Sequence, residues 1–594
     1  MLLSSLINFI HRLLKQSIFI ILLSYSFTFS QTSGITTYCN PMDINYQYNF
    51  EQKHLQISYR SGADPVIINH KGEYYLFVTI SGGWWHSKDL LHWNFIKPNV
   101  WPVEDMCAPA AISVRDTLYL FQSTFSRRPI YFLTKPDSGI LHYYNPLTQR
   151  LADTLCGPWD PDLFYDEEFD RWYMYWASSN VYPIYGGELD KTNQLNFRGT
   201  FKKLIYLHPD KHGWERFGQN HRDTIKPFIE GAWMTKHNHK YYLMYGAPGT
   251  EYNVYANGVY VGDDPLGPFE YAQYNPVSYK PGGFMTGAGH GNTFQDNFGN
   301  WWNTGTPWIA INWNFERRIA MFPAGFDEDG VMFSNTRFGD FPHYIPTSKW
   351  KNKNDLFTGW MLLSYKKPVE VSSTKEGFPP SNLTDENPRT FWVAQTNNSK
   401  QWIIVDLKKL CTVNAIQINY TDYKNNIFKS DSTVYTQFKI YSSEDKNTWQ
   451  LISDLTKEKH DRPNAYLELQ TPIKARYIKY QHVYTPSVNL AISDFRIFGN
   501  SNESIPDTPQ NIFVNRDSDR RNVLIKWNPV RDVVGYNIIW GIRPDKLYET
   551  YQVFADQETT LEIRALTVDQ DYYFAIESFN EGGVSKLSHP IHSN

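Results

Sequence analysis

The chain has 594 residues, 41% of them hydrophobic and 20% charged, with a formal net charge of −4; at about 100–200 residues per domain, that length predicts several domains. The composition excludes a disordered or collagen-like chain, and no Lys/Arg-rich stripe offers the electrostatic footprint of a nucleic-acid partner. Rings are abundant, with 41 Tyr, 37 Phe and 20 Trp; flat rings with a polar edge suit β-sheets and, where exposed, the faces of sugars.

The first 30 residues read as an export signal. Arg12 and Lys15 precede the apolar run Ser17 to Ser24, and small residues follow at Thr28 and Ser30, so a signal peptide over 1–30 with cleavage near Ser30 is expected. The run is shorter than the roughly 20 residues a membrane span needs. The mature chain is therefore expected in the periplasm or outside the cell, with no membrane span. The four cysteines show no Cys-x-x-Cys spacing, which gives no support to a metal cluster or redox motif; a Cys107–Cys156 disulfide stays open.

From about residue 55 to 345 short β-runs alternate with turn signals. Tyr74–Thr79 and Tyr241–Tyr245 each follow a polar turn, His70-Lys-Gly72 and His237-Asn-His239, and Thr117–Phe121 and Trp172–Trp176 are runs of the same kind; the unit is a hairpin. It recurs near residues 64, 109, 160, 230 and 290, a period of about 45–70 residues that suits a propeller blade plus an insertion. The expectation is all-β, with a five-bladed β-propeller over 31–350. The segments Ser126–Leu155 and Tyr206–Asp223, including His212-Gly-Trp-Glu-Arg-Phe217, read as inserts that wall a pocket.

A Pro-rich junction at Lys367-Pro368 and Phe378-Pro-Pro380 opens a second module over 365–500, whose alternating strands Trp402–Leu407 and Phe438–Tyr441 suit a half-buried sandwich. After the polar linker Ser501–Pro506, residues 506–594 carry Val523–Trp527, Tyr536–Trp540 and Tyr572–Ile576 at the spacing of a small β-sandwich.

Three acids stand at matching places before hairpins: Asp64 in Gly62-Ala-Asp-Pro65, Asp160 in Trp159-Asp-Pro161, and Glu230 in Glu230-Gly-Ala-Trp233. In a propeller such places converge on the central axis. Crowded carboxyls raise at least one pKa, leaving a proton donor beside an ionised base, which is the pair that glycosidic hydrolysis needs. Trp84-Trp85, after the first hairpin, reads as a stacking platform for a sugar, and Arg318 of the pair Arg317-Arg318 as a substrate contact.

The segments Ala63–Phe77, Asp160–Asp166, Glu230–Leu243 and Gly289–Asp296 resemble the four signature segments of glycoside hydrolase family 43. The resemblance implies a five-bladed propeller and an inverting mechanism, with Asp64 as general base, Asp160 as pKa modulator and orienter, and Glu230 as general acid. It makes His290 the central-channel histidine, which in some members faces a calcium ion or its waters. His290 is thus both a substrate-binding and a metal candidate, acting through water because calcium prefers oxygen ligands; no cofactor is otherwise expected. Trp301-Trp-Asn-Thr-Gly-Thr306 departs from the family, where many members carry a Tyr-His pair.

Residues 365–500, with Thr390-Phe-Trp392, Gln401–Leu407, Tyr441–Trp449 and Ser493–Phe498, resemble a coagulation factor 5/8 type C (discoidin) domain, implying a jelly roll that can bind sugars. Residues 506–594 resemble a fibronectin type III domain, an immunoglobulin-like sandwich in which Leu566 and Tyr572 match the tyrosine corner and Trp527 the core tryptophan. The combined expectation is a secreted, monomeric, inverting exo-glycosidase of arabinofuranosidase, xylosidase or galactosidase type acting on plant or algal polysaccharide. A retaining or anhydro-sugar-specific relative and a catalytically dead carbohydrate-binding protein are the alternatives.

Overall fold

The structure is a computed structural model that describes residues 36–99, 107–123, 129–146, 159–352, 354–427 and 434–593. The expected leader and Cys156 lie outside the described residues; Cys39, Cys107 and Cys411 are free thiols. Among the described residues no helix is long and apolar enough to cross a membrane.

Five antiparallel sheets follow one another along the chain, each laid out from inner to outer strand in sequence order. Blade 1 runs Val66–His70, Glu73–Phe77, Trp84–Ser87 and Asn94–Ile96; blade 2 runs Ala110–Val114, Thr117–Phe121, Pro129–Leu133 and His142–Pro146. Blade 3 is built on Asp162–Asp166, Arg171–Trp176 and Ile184–Asp190, blade 4 on Glu230–His237, Lys240–Ala247 and Ala256–Gly262, and blade 5 on Thr293–Gln295, Trp301–Gly305, Ala320–Phe326 and Met332–Ser334. The turns are the two-residue kind that right-twisted hairpins require: Lys71 and Gly72 have φ of 55° and 83°, and Asn238 and His239 have 47° and 61°.

Neighbouring blades are joined by side chains. His70 Nδ1 meets Ser113 Oγ at 2.8 Å between blades 1 and 2, and Tyr119 sits edge-on to Trp172 at 4.9 Å between blades 2 and 3. Met234 N donates to Asp162 Oδ2 at 2.7 Å between blades 3 and 4, and Thr235 and Thr293 hydroxyls meet at 2.5 Å between blades 4 and 5. Asn292 closes the ring: its Oδ1 accepts from Ile67 N (2.9 Å) and its Nδ2 donates to Ile67 O (2.8 Å). The all-β, five-bladed propeller is therefore the observed fold.

Two expected inserts have other roles. Within 126–155 the described residues 129–146 carry the two outer strands of blade 2, Pro129–Leu133 and His142–Pro146. The 206–223 insert folds into short 3-10 turns at Gly213–Glu215 and Gln219–His221 and grips the C-terminal sandwich: His212 Nδ1 meets Thr567 Oγ1 at 3.0 Å, and Arg216 Nη2 donates to Asn522 Oδ1 at 2.6 Å.

The second module is a jelly roll on two long bulged strands, Trp402–Tyr420 and Asn464–Tyr484. The third is a sandwich of one sheet (Phe513–Arg516, Val523–Lys526, Thr560–Ile563) facing another (Glu549–Phe554, Gly535–Gly541, Tyr572–Asn580 and short edge strands). Both dock on the propeller through buried charge. Arg60 donates to both oxygens of Asp422 and, at 2.8 Å, to Asp461 of the jelly roll, and Arg337 pairs with Glu577 of the sandwich.

Candidate active site

One residue per blade, at the start of the innermost strand, adopts a left-handed backbone: Asp64 (φ 52°), Ala108 (43°), Asp160 (47°), Gly231 (59°) and His290 (41°). Left-handed conformations are unfavourable for residues with a Cβ and cluster where function demands them. The side chains of Asp64, Asp160 and His290, with that of Glu230 beside Gly231, come together from four blades. Ala108 is the blank position in blade 2.

The three acids meet there. His290 Nδ1 lies 3.1 Å from Asp64 Oδ1 and 3.6 Å from Asp160 Oδ2, and one polar atom from each of Asp160, Glu230 and His290 lies within 4.8 Å of the other two. Thr79 Oγ1 donates to Asp64 Oδ2 at 2.5 Å, while Ser123 Oγ donates to Asp160 Oδ1 at 3.2 Å and accepts from its backbone N at 2.8 Å. Glu230 accepts from the Tyr255 hydroxyl and, at 3.0 Å, from Ser178 Oγ.

The environments separate the acids. Burial pushes Asp64 upward, but His290, Arg317 and the Thr79 hydroxyl outweigh it and hold the carboxyl below its usual range. Burial raises Asp160 to about 7: Glu230 and Asp64 add to the rise, and His290 opposes it. Burial would neutralise His290, yet the three carboxylates hold its imidazole above the ordinary range. Asp64 is thus favoured as the ionised carboxylate while Asp160 is shifted toward its protonated form, so burial and neighbouring charge move these two crowded carboxyls in opposite directions.

Asp160, Glu230 and His290 each offer one ligand atom within 4.8 Å of the others. Two carboxylates and a ring nitrogen fall short of the six to eight oxygens that calcium takes, so a calcium ion here would draw most of its ligands from water.

The platform and arginine expectations are corrected by burial. Trp84 and Trp85 are 0% and 1% exposed; their indoles are buried on opposite faces of blade 1, Trp84 in the cluster shared with blade 2 and Trp85 in the one shared with blade 5, donating to Pro136 O and to Asn45 Oδ1. Arg318, 1% exposed, faces away from the carboxylates, donating to Arg60 O at 2.7 Å with its guanidinium 5.3 Å from the Tyr46 ring centre. Its neighbour Arg317 is the site arginine, with Nη1 3.6 Å from Asp64 Oδ1. Sequence reasoning also passed over Thr79, Ser123, Ser178 and Tyr255, and Cys107, whose thiol is pushed upward by burial and by Asp64 and Asp160. Only their position one step from a signature segment or in an inter-strand loop could have flagged them.

Residues 57–332 match the model of the glycosyl hydrolases family 43, and residues 368–491 match that of the F5/8 type C domain. Comparison with curated proteins finds no match. Similar solved structures include a glycoside hydrolase (18% identity, 74% of this chain and 97% of that one, TM-score 0.44). They also include a family 43 protein from Bacillus licheniformis (15%, 78% and 99%, TM-score 0.39) and an endo-1,4-beta-xylanase from Bacteroides thetaiotaomicron (20%, 46% and 94%, TM-score 0.37). The propeller is a family 43 glycosyl hydrolase domain, and the protein is a glycoside hydrolase.

Proposed function

We propose that the protein is an exported, monomeric, inverting exo-glycosidase that removes a terminal sugar from a plant or algal polysaccharide. Asp64 takes a proton from a water whose oxygen attacks the anomeric carbon, the glycosidic C–O bond breaks on the opposite face, and Glu230 gives its proton to the leaving oxygen. Asp160 positions Glu230 and His290 rather than exchanging protons with substrate. Arabinofuranosidase, xylosidase and galactosidase are the candidate activities, and the reaction as written uses only carboxylates and water.

The convergence of Asp64, Asp160 and Glu230 about His290 carries this reading. The apolar run ahead of Ser30 supports export. For the C-terminal sandwich we propose a fibronectin type III spacer: its arrangement of a three-stranded sheet facing a larger antiparallel one supports this, as does Tyr572 Oη, which accepts from Thr567 N at 3.0 Å in the manner of a tyrosine corner.

The test is sugar release from arabinan, xylan, galactan and algal oligosaccharides by wild type and Glu230→Gln, with the anomer of the first product read by NMR. Release of the inverted anomer by wild type alone supports the proposal. Retention of configuration overturns the mechanism, and equal release by both proteins overturns the acid assignment.

A further inference from the structure

The segment between the second and third strands of blade 5 reaches the face that carries the acids. Trp308, half-buried in it, forms isolated β-bridges with Thr286 and with Arg317, the arginine that touches Asp64. Arg389 of the jelly roll crosses the domain boundary and places its guanidinium carbon 4.4 Å from the centre of the Trp308 ring. Among the described residues the Arg389 guanidinium has no carboxylate or hydrogen-bond partner, and burial is the one influence acting on it.

The same loop end continues the pattern. Phe391 packs on Phe378 at 5.0 Å, Phe378 on Tyr423 at 5.0 Å, and Lys375 and Lys424 each hold their ammonium 5.4 Å from the Tyr423 ring centre. Neither lysine has an ion-pair partner among the described residues. Three cations over aromatic faces, one of them partly desolvated, have no counter-charge among the described residues, unlike Arg60 with Asp422 and Arg496 with Glu386.

We propose that Trp308 and Arg389 form a distal subsite for a uronate residue of the substrate chain, beyond the sugar held at the catalytic carboxylates, with Lys375 and Lys424 extending it along the jelly roll. A guanidinium presents its donors in a fork that matches a carboxylate two-on-two, and an aromatic face beneath it keeps that fork flat. Neutral hydroxyls satisfy the donors but not the charge. The specificity of the hydrolase would then be set across the boundary between its two domains. This inference rests on the proposed hydrolase reading.

The experiment compares wild type, Arg389→Ala and Arg389→Lys on uronate-bearing oligosaccharides, on the same oligosaccharides after carboxyl reduction, and on aryl glycosides of a single sugar. Titration calorimetry with the uronate-bearing oligosaccharides runs alongside. The expected result is at least a tenfold loss of kcat/KM for Arg389→Ala on uronate-bearing chains, carried by KM, with the aryl glycoside unchanged, Arg389→Lys in between, and the wild-type preference fading in high salt. A wild type indifferent to carboxyl reduction, or an equal loss on aryl glycosides, overturns the subsite. If wild type releases no sugar from any substrate, the hydrolase reading fails by itself, and the calorimetry still decides whether Arg389 binds uronate.

Discussion

Gly231 presses its α-carbon against the imidazole of His290: a Cβ built on it would stand 2.7 Å from ring atoms Cδ2 and Cγ, and its φ is +59°. The glycine after the blade 4 acid is what lets His290 lie among the three carboxylates. Gly231→Ala is expected to cost about 1–2 kcal/mol in backbone strain and to displace the ring, lowering kcat at least tenfold in a protein that still melts cooperatively. Kinetics with a thermal melt on the same sample checks this, and unchanged kcat would show that the ring position does not matter.

Glu230→Gln is expected to lower the rate on oligosaccharides by at least about 10²-fold. An aryl glycoside whose phenolate leaves without protonation should lose far less. Asp64→Asn, which removes the base, should slow both substrates alike. The ratio of the two rates for each variant is the measurement.

The burial of Asp160 gives stability a pH dependence of known sign. Its folded pKa, near 7, lies above the unfolded value of 3.8, so the stability it contributes is fully present below about 3.8 and is lost as pH rises through about 7. Asp160→Asn should therefore gain stability relative to wild type as pH goes from 4 to 8. Urea unfolding midpoints of both proteins across that range test it, and parallel curves would contradict the shift.

Arg60 joins the propeller to the jelly roll through Asp422 and Asp461, all three buried. Arg60→Ala leaves two carboxylates without their cation, and breaking such a pair costs about 3–5 kcal/mol. The denaturation midpoint should fall accordingly. A replacement of all three residues by apolar ones should recover much of the loss.

What could be read before folding was the repeat. Asp64, Asp160 and Glu230 announce themselves because each stands at or just before a hairpin, His290 is named through the resemblance of Gly289–Asp296 to a signature segment, and the propeller follows from five such hairpins. Arg317 and Arg318 lie ahead of the Ala320–Phe326 strand, Arg317 in an isolated bridge to Trp308, so no periodicity in the sequence distinguishes the arginine beside Asp64 from its buried neighbour. Trp84 and Trp85 misled for another reason: blade 1 is covered on both faces, so alternation leaves neither indole exposed. Arg389 on Trp308 was beyond reach, since 81 positions of chain separate them and only the docking of two domains brings them together.

Asn292 clasps blade 5 to blade 1, and the catalytic set comes from blades 1, 3, 4 and 5. A chain translated only as far as blade 4 already contains every acid of the set, yet they have nowhere to gather. Turnover is therefore a report on circularity: it arises in one step when the two ends of the propeller meet, and any cut or slip that reopens the circle should abolish it while leaving each blade's hairpins intact.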